Sequence, residues 1–346
     1  MAVNAQNPDA GGNPVVYAYK PSIINTDGPW RMYFCSNGSS LPSGGADAVR
    51  EVISDDGVNW TTPQIVLQVS NATYERSACD SSVVKFDAGD GLYYYLYYTG
   101  GTLFCGPNHS IIYNCDPNDQ NTINNSVVFV ARSTSPDGPF AKYTTSGTWE
   151  VDAASPMPII MPQTPTSGSY GAGSQSVVVS PSGTLYMWYD DLTISGADHI
   201  YRVQSTDGVN WSQFTPTNIS YPMGDVKWDT VRQQFIWFIV YYHLPGDGSP
   251  LQPDSSYAAF KTSSDFGVTW SDDLVINPPA SFPVYSAAGG ISGDNHGWIM
   301  VGDTYLLFKA PYDSSTYVSA CNGNLTSPNC GPNGDIYGGK VVGWPF

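Results

Sequence analysis

Lys261-Thr-Ser-Ser-Asp-Phe-Gly-Val-Thr-Trp270 is the fullest form of a turn that the sequence repeats. From Ser263 it reads Ser-x-Asp-x-Gly-x-Thr-Trp. Shorter versions stand at Ser54-Asp-Asp-Gly-Val-Asn-Trp60 and Ser205-Thr-Asp-Gly-Val-Asn-Trp211, with a degenerate one at Ser135-Pro-Asp-Gly-Pro-Phe140. Asp caps its own backbone in a tight turn, and Gly accepts a positive φ without steric cost. Asp55, Asp137, Asp207 and Asp265 read as the turn carboxylates. The Trp or Phe that follows plugs the next strand into a core. Each copy lies between two alternating apolar runs, so the pattern predicts a ring of small antiparallel sheets.

The runs divide into five units. The first predicts strands at 21–25, 30–35, 48–53 and 64–67; the second at 82–86, 92–98 and 127–131. The third follows at 176–179, 185–189 and 199–203, the fourth at 225–228, 234–240 and 257–260, and the fifth at 297–300, 304–308 and 340–342. The expectation is an all-β, five-bladed β-propeller of four-stranded antiparallel blades filling residues 15–346 as one domain, behind an unstructured lead-in at 1–14. The last unit runs out before a fourth strand. A strand at Val15–Tyr19 is expected to supply it and close the ring, which removes open edges. No segment sustains a 3.6-residue period, so little helix is expected.

Composition narrows the partners. Of 346 residues, 13 are Lys or Arg and 30 are Asp or Glu, a formal net charge of -17 that argues against nucleic acid and anionic membrane. With 14% aromatic and only 12% charged residues, the chain is a large-cored, turn-rich β protein rather than an acidic disordered one. No run of 18 apolar residues is present. Met1-Ala2 followed by a polar stretch reads as a start from which a leader has been removed, and the expected compartment is secreted or periplasmic. The six cysteines agree with export. Cys105 and Cys115 bracket one Gly/Pro/Asn loop and Cys321 and Cys330 another. Those pairs leave Cys35 with Cys79, one of about 15 connectivities, against the alternative of six free thiols.

In a propeller the innermost strands line a central channel, and polar residues at their starts converge on one mouth. Aligning the units on the Ser before a β-branched pair gives Lys20-Pro-Ser, Asp80-Ser-Ser and Ser174-Gln-Ser, with Asp225 in the fourth unit and Asp294 or His296 in the fifth. Glu75 and Arg76 precede the second of these strands. Asp190-Asp191 ends the apolar run at Trp188-Tyr189 and either reaches the rim, with Asp191 as a substrate contact, or stays a surface pair. Such a funnel suits carbohydrate chemistry, in which one carboxyl protonates the leaving oxygen and another activates water or attacks carbon. Asp80 and Asp225 are the candidate acid/base or nucleophile pair, with Glu75 as third carboxyl. Lys20, Arg76, Gln175, Asp191 and His296 are the candidate substrate-orienting groups. Asp116-Pro-Asn-Asp119 offers oxygens of the kind calcium takes, at a spacing that matches no calcium loop.

Lys20-Pro-Ser-Ile-Ile, Trp30-Arg-Met-Tyr-Phe and Ser54-Asp-Asp-Gly-Val-Asn-Trp60 resemble the five-bladed propeller glycoside hydrolases: arabinanases, β-xylosidases, arabinofuranosidases and invertase-like fructosidases. The resemblance covers nearly the whole chain as a repeat. It implies three carboxyls on innermost strands of different blades and a pocket at the channel mouth. Asp80 stands where relatives often have Asp-Pro-Ser-Val. Lys20 stands where many carry an Asp base, and Gln175 where an acid is expected. In the arabinanase branch a fifth-blade His lies near a central cation or water, a place His296 could match, with a structural calcium ion in the channel. No other cofactor is expected. The implied activity is hydrolysis of a furanoside- or pentoside-containing polysaccharide by a monomer. A non-catalytic sugar-binding propeller is the rival, and a phosphorylase or lyase stands third.

Overall fold

The computed structural model describes residues 18–26, 28–37, 47–70, 75–109, 115–116, 118–193, 199–219, 224–241, 257–276, 290–300, 305–311 and 334–340. The alternating runs become strands. The first blade is β1 (Tyr19–Asn25), β2 (Trp30–Asn37), β3 (Asp47–Ser54) and β4 (Gln64–Gln68), paired antiparallel in that order. The second is β5 (Cys79–Asp87), β6 (Leu92–Phe104), β7 (Ile123–Ser133), β8 (Ala141–Tyr143) and the added β9 (Trp149–Glu150). The third is β10 (Ala172–Val179), β11 (Leu185–Asp191), β12 (His199–Ser205) and β13 (Thr215–Pro216). The fourth is β14 (Asp225–Asp229), β15 (Gln234–Tyr241), β16 (Tyr257–Ser263) and β17 (Leu274–Ile276). One 3-10 turn, Pro107–His109, is the helical element among the described residues.

The fifth unit departs from the expectation. Among the described residues it is a three-stranded sheet of β18 (Gly290–Ile291), β20 (Tyr305–Pro311) and β21 (Gly334–Lys340), while β19 (Gly293–Asp294) pairs in parallel with β1. Its inner strand therefore lies upstream of the apolar run Gly297-Trp-Ile-Met300. That run has another task. Asn295 O accepts from Lys85 N–H at 2.6 Å, His296 O from Val179 N–H at 2.9 Å and Gly297 O from Trp228 N–H at 3.0 Å. Ile299 N–H donates back to Trp228 O. Together with the Asn25–Asp294 register, residues 294–299 touch the far end of the innermost strand of all four full blades. Most of the strand expected to close the ring, Val15–Tyr17, lies outside the described residues, and Tyr19 belongs to β1.

The cores lie between neighbouring sheets, as a propeller requires. Tyr33, Val49 and Leu67 of the first blade pack with Val83, Tyr98 and Phe129 of the second. Tyr95 and Tyr97 of the second meet Val177 and Met187 of the third, and Trp188 and Ile200 of the third meet Phe235 and Trp237 of the fourth.

The repeated turns latch these blades together. In the third, Asp207 Oδ1 accepts from Val209 and Asn210 N–H and Ser205 Oγ from Gly208 N–H; Ser54, Asp56 and Asn59 repeat this in the first. Asp56, not Asp55, is thus the turn carboxylate: it lies two residues after the Ser, as Asp137, Asp207 and Asp265 do. A carbonyl of the turn in the second, third and fourth blades then receives a bond from the preceding blade. Tyr33 OH donates to Pro136 O, Tyr97 OH to Gly208 O and Trp188 Nε1–H to Gly267 O. These three aromatics hold one register, opposite Ser22, Ser82 and Ser176 respectively.

Disulfides join Cys35 to Cys79 and Cys105 to Cys115, as expected; Cys321 and Cys330 lie outside the described residues. No helix among the described residues is long and apolar enough to cross a membrane.

Candidate active site

Three successive inner strands carry the same irregularity. The ladder register shifts between Tyr19 and Ser22, between Cys79 and Ser82, and between Gly173 and Ser176. Inside each shift a residue with a side chain takes a positive φ: Lys20 at 52°, Asp80 at 43° and Ser174 at 50°. A bulge re-aims one side chain, and a non-glycine residue in the left-handed region is held there only when its surroundings over-determine it. The sequence alignment on the Ser is therefore a structural equivalence, with Lys20, Asp80 and Ser174 presented alike at the channel mouth.

The aligned Ser holds the bulges in place. Ser22 Oγ accepts from Val83 N–H, Ser82 Oγ from Val177 N–H and Ser176 Oγ from Val226 N–H, each reaching the next blade. Asp225 occupies the same position in the fourth blade, and its Oδ2 accepts from Ile291 N–H at 3.0 Å. Its Oδ1 takes the Ser176 hydroxyl at 2.9 Å and Lys227 Nζ at 2.6 Å. Both oxygens of Asp225 thus serve the junction of three sheets. By repeat position it matches Ser82, not Asp80.

Asp80 is placed differently. Its Oδ2 accepts from the Tyr170 hydroxyl at 3.0 Å and from Ser174 Oγ at 3.3 Å. Gln175 is buried, accepts from Thr99 Oγ1 and donates from Nε2 to the Asp80 carbonyl, so it braces the bulge. Lys20 is buried and donates to Gly224 O at 3.3 Å. Burial holds its pKa below the ordinary lysine value, against the opposing pull of Asp80, Asp225 and Asp190, in that order, with Lys227 adding repulsion. One ammonium therefore sits in the field of three carboxylates drawn from three blades. Burial likewise pushes the Tyr170 phenol well above its usual value, and the charges of Asp80 and Asp190 add to this.

Four expected site residues lie elsewhere. Glu75 is buried in an ion pair with Lys142 of β8, 2.6 Å away, and also accepts from Tyr98 OH and Ser70 N–H. Proximity in sequence to Asp80 suggested a pocket role, but the loop carries Glu75 outward to the joint between two blades. Asp191 is fully buried and holds a loop, accepting from Gln163 N–H on Oδ2 and from the Thr193 amide and hydroxyl on Oδ1. Because residues alternate along β11, its neighbour Asp190 is the one that faces the channel charges. His296 sits where β10 ends at Val179; by strand rise that is roughly 16 Å from the mouth. Its ring lies against Trp298. Arg76 is exposed, and its N–H donates to Gly101 O.

Sequence reading missed Tyr170, Ser174 as a ligand of Asp80, and Lys227. Ser174 stood in the aligned triplet and could have been found there. Nothing in Gly168-Ser-Tyr-Gly-Ala-Gly173 marks Tyr170. Asp116 and Asp119 each cap their own turn, accepting from Asn118 and Asn121 N–H. Among the described residues, the cluster with metal-like ligand spacing is Cys35, Asp47 and Cys79, and both of its sulfurs are in a disulfide.

No protein-family model and no curated protein matches the sequence. Solved structures do share the fold. A GH62 α-L-arabinofuranosidase catalytic domain from Coprinopsis cinerea superposes with a TM-score of 0.56 at 12% identity, covering 97% of this chain and 94% of its own. The α-L-arabinofuranosidase of Podospora anserina, solved with cellotriose, gives 0.56 at 13%, covering 89% and 88%. An α-L-arabinofuranosidase from Clostridium thermocellum gives 0.52 at 15%, covering 92% and 88%. The chain therefore has the propeller fold of these glycoside hydrolases, matched along almost its whole length.

Proposed function

We propose that the protein is a secreted glycoside hydrolase acting on an arabinose- or xylose-containing polysaccharide. The observation that carries this reading is the convergence of Asp80, Asp190 and Asp225, from three blades, on the buried Lys20 at the channel mouth. Two carboxyls in unlike environments are what glycoside hydrolysis needs. Asp80 and Asp190 are the proton-handling pair in this reading. Asp225, with both oxygens engaged, sets the field together with Lys20 and Lys227. The α-L-arabinofuranosidases that share the fold support this substrate class, and the paired cysteines suit an oxidising compartment. The same reading takes the three-stranded sheet as a fifth blade.

Release of sugars from arabinans, arabinoxylans and xylans tests it, with wild type run beside Asp80→Asn and Asp190→Asn. Each substitution is expected to lower turnover at least about 100-fold, the scale of acid–base groups. Near-wild-type rates in both variants would sink the assignment. A second reading, a propeller that binds sugar without cleaving it, is favoured by Lys20 in the first-blade bulge where related enzymes are expected to carry an acid. Retention on an arabinoxylan affinity gel with no product from any substrate would select it.

A further inference from the structure

The segment between the second and third blades is tied down more firmly than a connection needs. Buried Asn125 donates from Nδ2 to Thr166 O and Ser169 O and accepts from Thr166 N–H on Oδ1. Buried Asp191 takes Gln163 N–H, and Ser169 Oγ donates to Leu192 O. Ser126 N–H donates to Tyr170 O at 2.6 Å, and Leu192 N–H to Gly171 O. The side chain these anchors deliver to the mouth is Tyr170. Its hydroxyl reaches Asp80 and Ser174, while 37% of the residue stays exposed. Gly173 makes the room: a Cβ there would lie 2.8 Å from the Tyr170 hydroxyl.

We propose that Tyr170 is the specificity-determining wall of the site, its hydroxyl orienting Asp80 and its exposed ring stacking on the C–H face of a bound sugar ring. A partly exposed aromatic with a hydrogen-bonded tip is built for such a contact. Donation to the ionised carboxylate favours that form, so loss of the hydroxyl moves the ionisation of Asp80 to higher pH. Asp191 and Asn125 act at one remove, as positioning residues for the loop. The inference deepens the glycoside hydrolase reading and rests on it for the reaction, but not for sugar binding.

The test uses Tyr170→Phe, Tyr170→Ala and Asp191→Ala in the full chain, each checked for a wild-type far-UV spectrum. Tyr170→Phe is expected to shift the acid limb of the rate profile upward by about one pH unit, the size of one lost donor. Tyr170→Ala is expected to weaken binding of an arabinoxylan oligosaccharide at least about tenfold by calorimetry, and Asp191→Ala to follow it. Wild-type oligosaccharide affinity in Tyr170→Ala overturns the wall. An unmoved pH limb in Tyr170→Phe overturns the orienting role. If the wild type proves to have no hydrolase activity, the calorimetric comparison alone decides the wall, so failure of the enzyme reading and failure of this one are told apart.

Discussion

Two glycines with nearly the same backbone separate the cost of a conformation from the cost of a latch. Gly267 has φ +76° and Gly183 φ +80°. A Cβ on Gly183 would meet nothing within 4 Å, whereas one on Gly267 would overlap the Trp188 indole, whose Nε1–H donates to Gly267 O at 2.9 Å. Both alanine substitutions place a side chain in the left-handed region, at about 1–2 kcal/mol. Both recover about 0.4–1 kcal/mol through the unfolded chain. Gly267→Ala also overpacks a buried aromatic, about 1–3 kcal/mol, and strains or breaks a buried hydrogen bond, about 1 kcal/mol. The expected loss is about 1 kcal/mol for Gly183→Ala and about 2–5 kcal/mol for Gly267→Ala. Urea unfolding followed by both Trp fluorescence and far-UV dichroism measures the two side by side. Losses that agree within about 1 kcal/mol would refute the claim that the repeated turns hold neighbouring blades through close contact.

The Glu75–Lys142 pair is buried and structural. Glu75→Gln or Lys142→Met alone should cost about 3–5 kcal/mol by leaving a buried charge unpaired. The double variant should recover much of that loss in a melting series, with specific activity per folded molecule intact. Turn hydrogen bonds hold Asp56 and Asp207 below the usual carboxylate range, and burial only partly opposes the bonds that bring Asp265 to about 2. Folded values lie below unfolded ones, so this stabilisation is complete above the unfolded value near pH 4 and disappears as pH falls through the folded values. Asp207→Asn combined with Asp265→Asn should flatten the acid side of a stability–pH curve; an unchanged slope counts against the latch. Removing the Cys35–Cys79 bridge, which spans 44 residues, should cost about 4 kcal/mol, against about 2.7 kcal/mol for Cys105–Cys115, which spans 10. Paired Cys→Ala variants compared by urea midpoint give that order or reverse it.

Architecture was the more legible part of the sequence. Alternation with period two and the recurring Ser-x-Asp-Gly turns located the strands of four blades, because both signals are local and repeated. The fifth unit misled for a physical reason: Gly297-Trp-Ile-Met300 is apolar because it packs across the channel, and an apolar run carries no label saying which neighbour buries it. At the site, the alignment on Ser22, Ser82 and Ser176 found the bulge residues, since equivalent backbone demands recur at equal offsets. It could not tell that Asp225 stands at the Ser position, because the fourth unit lacks the pair of residues that would have set the offset. Glu75, Asp191 and His296 were chosen as polar residues near the right strands, and their partners Lys142, Gln163 and Val179 lie 67, 28 and 117 positions away along the chain. Such pairings are set by the tertiary fold and leave no mark in spacing.

The contacts of residues 294–299 also set an order of events. Lys85, Val179 and Trp228 find the backbone partners of their inner ends only in a segment made after more than four-fifths of the chain. Until that segment leaves the ribosome, the four earlier sheets can pair internally but have no common hub. Chains synthesised N-terminus first at about 5–20 residues per second spend several seconds in that state. This late-made stretch acts as a keystone: a stop codon before residue 294 would release a chain whose neighbouring sheets are latched side by side but lack their shared hub, exposed to proteases at the axle.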